Sequence, residues 1–118
     1  MSKAVEFHKK GFNCAESIIK TFNEEKNANI PVSIASPFGS GMSVGATCGA
    51  ISGALMALGF IKGRETSDTQ NESRKNARVF MTKLKEKYGT FECVELKRKG
   101  VSCDEIIAYA YDTLTESI

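Results

Sequence analysis

The chain predicts an all-α fold: one domain over residues 1–118, built as a small bundle of about five to six helices with a glycine-rich loop. Three observations predict it. Apolar residues recur at spacings of three and four in every major stretch. Capping signals stand directly before those stretches, and glycine or asparagine follows them. No pair of alternating runs, no repeat and no low-complexity tract competes with this pattern.

Val5, Phe12, Ala15, Ile18, Ile19 and Phe22 carry helical periodicity that Gly11 interrupts. A short first helix therefore ends before Gly11, and a second runs from Cys14 to about Lys26. Asn13-Cys14-Ala15-Glu16 has the form of a capping box, and the Asn27 to Asn29 stretch closes the helix. Ile30-Pro31 opens a short helical or irregular piece that ends near Pro37. The loop with Gly39, Gly41 and Gly45 then leads into Thr47-Cys48-Gly49-Ala50. Thr47 reads as an N-cap, which makes Cys48 the first helical residue. In the helix that follows, Ala46, Ala50, Gly53, Ala54 and Ala57 form a small-residue face beside a stripe of Ile51, Leu55 and Leu58. That face permits close self-association and hence a homodimer. The helix stops at Gly59 or Gly63.

Ser67-Asp68-Thr69-Gln70 looks like a second capping-box start. Ala77, Phe80, Met81, Leu84 and Tyr88 then mark an amphipathic helix ended by Gly89. Thr90 caps a short turn carrying Phe91, Cys93, Val94 and Leu96. Ser102-Cys103-Asp104-Glu105 is a third box, opening the last helix through Ile106, Ile107, Ala110, Leu114 and Ile118.

The balance of 16 basic and 14 acidic side chains gives +2, which implies no nucleic-acid partner and no membrane surface. Lys97-Arg98-Lys99 reads as a solvated turn. The apolar run over 46–61 falls short of the roughly 20 residues a membrane span needs. The first ten residues mix charge with apolar residues and show no secretory signal, so the expected compartment is the cytoplasm. Structural disulfides are the weaker reading there.

Four cysteines remain: Cys14, Cys48, Cys93 and Cys103. Their spacing contains no CxxC and carries little metal signal by itself. Their local context is more telling. Cys14 follows Asn13, Cys48 follows Thr47, Cys103 follows Ser102, and Cys93 lies three residues after Thr90. Each falls at a helix start, where backbone N–H groups and the helix dipole favour thiolate over thiol. If the four ends converge, they suit a tetrathiolate metal centre, an iron–sulfur cluster or thiol–disulfide exchange. The competing reading is four separate space-filling thiols. The lone His8 reads as a surface residue without an acidic partner, which argues against a Cys–His hydrolase. Glu16 and Glu105 read as capping residues, Met42 and Met56 as packing, and Phe38 as core. Of Tyr109 and Tyr111, two apart on the last helix, one is expected at the surface. The glycine loop has neither dinucleotide-binding nor P-loop form.

The run Cys48-Gly49-Ala50-Ile51-Ser52-Gly53 is CGAxxG, and it resembles the signature of the C_GCAxxG_C_C family of redox-active proteins. Gly11-Phe12-Asn13-Cys14-Ala15 resembles that family's opening cysteine motif, and Phe38-Gly39-Ser40-Gly41-Met42 its glycine loop. Cys93 and Cys103 stand in the order of its two later cysteines. The resemblance implies a small helical protein with four functional cysteines. A more distant likeness to the iron–sulfur part of split-Soret cytochromes implies a cluster bound by them. The family loop is richer in glycine and often carries an arginine, where this chain has Ser40, Ser43 and Val44. No CxxCH is present, so no c-type haem carries over.

Three functions follow as expectations. The first is electron transfer by an iron–sulfur cluster on Cys14, Cys48, Cys93 and Cys103, with Gly49 at the site and a redox protein as partner; aerobic preparation can strip such a cluster. The second is a metal-free thiol–disulfide oxidoreductase, with Cys48 as the low-pKa nucleophile and Cys14 among its resolving candidates. The third is a zinc-stabilised helical interaction module.

Overall fold

The computed structural model describes residues 2–118. Six α-helices and one 3₁₀ helix make seven helices among the described residues, close to the number expected. They are α1 (Lys3–Lys9), α2 (Cys14–Lys26), the 3₁₀ helix Val32–Phe38, α3 (Gly49–Lys62), α4 (Ser73–Tyr88), α5 (Cys93–Arg98) and α6 (Cys103–Glu116). β-type pairing among the described residues is confined to a bridge between Thr47 and Glu92. No helix among them is long and apolar enough to cross a membrane.

The second helix begins as its sequence dictates. Asn13 Oδ1 accepts from the Glu16 amide at 2.8 Å, and Glu16 Oε1 accepts from the Asn13 amide at 2.9 Å. Glu16 also accepts from Ser36 Oγ at 2.6 Å, which ties the 3₁₀ helix to the same cap. Asn27 ends α2 in the left-handed conformation. Along its inner face Ala15, Ile18, Ile19 and Phe22 are fully buried. Ser17 and Thr21 are buried beside them, and each hydroxyl donates to the carbonyl four residues earlier.

α3 is the hub, packed against α2, α4 and α6. Its closest neighbour is α2, because a Cβ at Gly53 would lie 2.9 Å from the Ala15 carbonyl oxygen. The small-residue face does this work inside the chain: Ala50, Ala54 and Ala57 are wholly buried. It is therefore not available to a second copy. α4 and α6 close the other side with Phe80, Leu84, Ile107 and Leu114.

Three local expectations are corrected. Cys48, not Thr47, is the N-cap residue of α3, and its side chain makes no capping bond. Thr47 is held extended by the bridge to Glu92, so it has no cap geometry. The box at 67–70 does not start a helix either. Residues 63–72 stay irregular and exposed, and α4 begins at Ser73. At α6 only half the box forms: Ser102 Oγ accepts from the Glu105 amide at 3.1 Å, while the Glu105 carboxylate accepts from Tyr88 Oη at 3.1 Å. A buried phenol in need of a partner competes successfully with the cap. On α6, Tyr111 is buried and Tyr109 half-buried.

Candidate functional site: a four-cysteine cavity

Each cysteine stands at a helix start, as expected. Cys14, Cys93 and Cys103 are the first residues of α2, α5 and α6, and Cys48 is the N-cap of α3. The tertiary structure brings all four to one cavity of about 90 Å³. Leu96, Val101 and Ile106 give it an apolar wall, and Asn13, Ser40, His8 and Lys97 complete the lining.

The bridge at Thr47 is what pairs two of the helix starts. The Cys48 amide donates to the Phe91 carbonyl at 2.8 Å, and the Cys93 amide donates to the Ala46 carbonyl at 2.7 Å. These two bonds clamp the entry to α3 against the entry to α5. Gly49 lets Cys14 approach from the other side. A Cβ there would overlap Cys14 Sγ and crowd the Phe38 carbonyl oxygen, so the second residue of the CGAxxG run has to be glycine.

The glycine loop supplies the remaining wall. Ser40, Gly41, Met42 and Ser43 form four consecutive left-handed residues, with φ of 55°, 64°, 58° and 68°. For the three that are not glycine this costs about 1–2 kcal/mol each. The turn is held by Ser43 Oγ donating to the Pro37 carbonyl at 2.9 Å and the Ala46 amide donating to the Gly41 carbonyl at 2.8 Å. Its product is the Ser40 backbone N–H, directed at Cys14. Met42, expected to pack, is instead exposed by this conformation.

Electrostatics separates the thiols. Cys14 is lowered from 9.0 to about 6, first because the Cys48 thiol donates a hydrogen bond to it; burial opposes this, and the Ser40 and Ala15 amides assist. Cys48 is pushed far up by the same hydrogen bond and by burial. The two share one proton, which resides on Cys48 and leaves Cys14 as the thiolate. This reverses the expectation that Cys48 is the activated thiol. Both sulfurs take helix-start amides, Ser40 and Ala15 at Cys14 and Ala50 and Ile51 at Cys48, so the hydrogen bond between the two thiols is what separates them. Cys103 is raised by burial and then by the charge of Cys14, with Lys97 acting in the opposite direction.

Sequence reasoning missed two residues of the lining. His8 is not an isolated surface side chain: its Nδ1 lies 3.0 Å from Asp104 Oδ1, and the half-buried ring faces the cysteine cavity. Ninety-six positions separate this pair, so no local pattern could reveal it. The only hint was that Asp104 directly follows Cys103. The basic turn is also more than a solvated face. Lys97 lines the cavity, and Lys99 Nζ donates to the Tyr88 carbonyl at 2.8 Å.

Beside the four thiols the lining holds one imidazole, that of His8, and no carboxylate. A single tetrahedral zinc needs its sulfurs gathered at about 2.3 Å from one point. Among the described residues, no three Cys, His, Asp or Glu side chains are gathered around one such point. A family model described as "Putative redox-active protein (C_GCAxxG_C_C)" matches residues 12–117, leaving α1 outside the matched segment. No curated protein and no solved structure matches the chain.

Proposed function

Because the chain belongs to the C_GCAxxG_C_C family of redox-active proteins, we propose that its four cysteines are one redox centre, an iron–sulfur site that exchanges electrons with a partner protein. The observation that carries this reading is the convergence of four thiols, from four helix starts, on one cavity. Cys14, Cys48, Cys93 and Cys103 would hold the group, which supplies one-electron transfer when bound. The chain's own part is to deliver deprotonated sulfur, donate backbone N–H groups to it and exclude water. The Ser40 and Ala15 amides at Cys14, and the Ala50 and Ile51 amides at Cys48, are those donors. Hydrogen bonds of this kind tune the potential of a thiolate-held centre. Four free thiols suit a reducing compartment, and we assign the protein to the cytoplasm on that ground.

A second reading has its own observation, the proton shared between Cys14 and Cys48. In a thiol–disulfide oxidoreductase, the Cys14 thiolate would attack a substrate disulfide and release one substrate thiolate. Cys48 would then lose its proton and attack the mixed disulfide at Cys14, releasing the second thiolate and closing a Cys14–Cys48 disulfide.

Iron, sulfide and zinc analysis with a visible spectrum, on protein purified without oxygen, separates the readings. Brown protein with stoichiometric iron and sulfide, bleached by Cys93→Ser, supports the cluster. Colourless, metal-free protein with four titratable thiols overturns the cluster and leaves the Cys14–Cys48 couple. Zinc alone would return the structural module.

A further inference from the structure

At the far end of α3 from the cysteines, a second concavity of about 790 Å³ is lined by Arg64, Gln70, Asn71, Arg74, Lys75 and Arg78. The 14 residues of α3 separate the two sites by roughly 20 Å. The lining holds four cations and no carboxylate, and the cations come from two different elements. None of them is used internally as an ion pair. The ion pairs among the described residues are Lys3–Glu24, His8–Asp104 and Lys83–Glu116.

The arrangement opposes local helix physics in three ways. Arg74 and Arg78 are like charges four apart, and Lys75 and Arg78 are like charges three apart; both spacings are repulsive. Arg74 and Lys75 also occupy the first turn of α4, at the positive end of its dipole. Third, the capping box at 67–70, which would have extended the helix, is unused. The 63–72 segment instead brings Gln70 and Asn71 to the concavity, and Arg64 Nη1 is steadied by donating to the Thr69 carbonyl at 2.9 Å. Local rules broken together without internal compensation are expected at functional or strained sites.

The nature of that ligand follows from the lining. Three guanidinium forks match phosphate oxygens in a bidentate manner, and amide side chains add donors. Directly beside them Phe60, 51% exposed, lies in an adjoining recess that shares Arg64 and Asn71 with the first and has Glu65 at its edge. An exposed aromatic ring next to a cation cluster offers a stacking surface for a base. We propose that this concavity binds an oligophosphate anion carried by a nucleotide, with the phosphates on Arg64, Arg74, Lys75 and Arg78 and the base against Phe60. The site is distinct from the glycine loop, and it does not rest on the redox reading.

Calorimetric titration of the full chain with ATP, and separately with sodium tripolyphosphate, at about 150 mM salt tests this. Saturable binding of both, with Kd below about 1 mM, is expected. The Arg74→Glu/Arg78→Glu double variant should weaken both at least about tenfold. Phe60→Ser should weaken ATP alone. The double variant removes repulsion and places acid at a helix start, so its melting temperature should not fall; if it does, Arg64→Gln provides the same readout from the loop. No saturable binding below about 1 mM, or binding unchanged in these variants, overturns the site. Equal affinity for the two probes, indifferent to Phe60→Ser, overturns the nucleotide assignment and makes a free oligophosphate the ligand.

Discussion

Cys14 and Cys48 divide one proton unequally, and the division has consequences for stability as well as chemistry. In metal-free reduced protein the Cys14 thiol is held at about 6, against 9.0 for an ordinary thiol. An acid lowered by folding stabilises the native state above its unfolded pKa and loses that stabilisation as pH falls through the folded one. Melting temperature should therefore rise from pH 6 toward pH 9. Cys48 is raised, so above pH 9 the unfolded chain gives up a proton that the folded chain keeps, and melting temperature should fall from there. Replacing Cys48 with alanine removes the donor that contributes most to Cys14. The rate of Cys14 alkylation by iodoacetamide should then titrate at a higher pH than in the parent protein; an unchanged profile would show that the backbone amides alone activate Cys14. At this scale the sequence was only half informative. Helix-start placement was legible for all four cysteines, although a side-chain cap forms only before Cys14 and Cys103, at Asn13 and Ser102. Which thiol is activated was not, since the decisive donor reaches Cys14 from a residue 34 positions away.

The elements show the same division between local and distant causes. The Asn13 cap is local, and its sequence announces it in full. Asn13→Ala should cost about 1 kcal/mol through loss of the cap. It should also release the 3₁₀ helix, because Asn13 Nδ2 donates to the Ser36 carbonyl at 3.0 Å. The entry to α3 is governed differently. Thr47 has the composition of a cap, but pairing with Glu92 keeps it extended, and Cys48 takes the cap position. Gly49→Ala should destabilise by about 1–3 kcal/mol, measured by urea denaturation, since the new methyl has no room beside Cys14 and Phe38. The same variant should push Cys14 away from Ser40 and slow its alkylation at neutral pH. A stable variant with unaltered Cys14 reactivity would refute the role assigned to Gly49. The strained turn over Ser40–Ser43 was recognisable only as glycine-rich; its left-handed run includes three residues that nothing local would place there.

Across the whole molecule, the buried cluster joins every α-helix except α5 through fully buried side chains such as Phe22, Ile51, Phe80 and Ile107, and α5 joins through the nearly buried Leu96. The cavity lies where four helix starts meet at one end of that cluster, so its geometry depends on the core as a unit. Phe22→Ala, remote from the cavity lining, should cost about 3–5 kcal/mol. If that variant folds, its cysteines should lose their distinction and alkylate at similar rates. The pair His8–Asp104 fastens α1 to α6 at the rim. His8→Ala should raise solvent access to the cavity while leaving the core intact, read as faster alkylation of Cys103 with little change in melting temperature.

The sequence by itself determined the helical class, most helix boundaries, the buried faces and the seating of each cysteine at a helix start. All of these arise from periodicity and capping, which act within a few residues. It also carried the family signature, because CGAxxG places a close-packing glycine next to a cysteine. Only the tertiary structure decided that the four starts converge, that Cys48 protonates in favour of Cys14, that His8 and Lys97 face the cavity, and that 67–70 stays out of the helix. Those outcomes depend on bonds and charges between segments far apart in the chain, whose strengths no local pattern records.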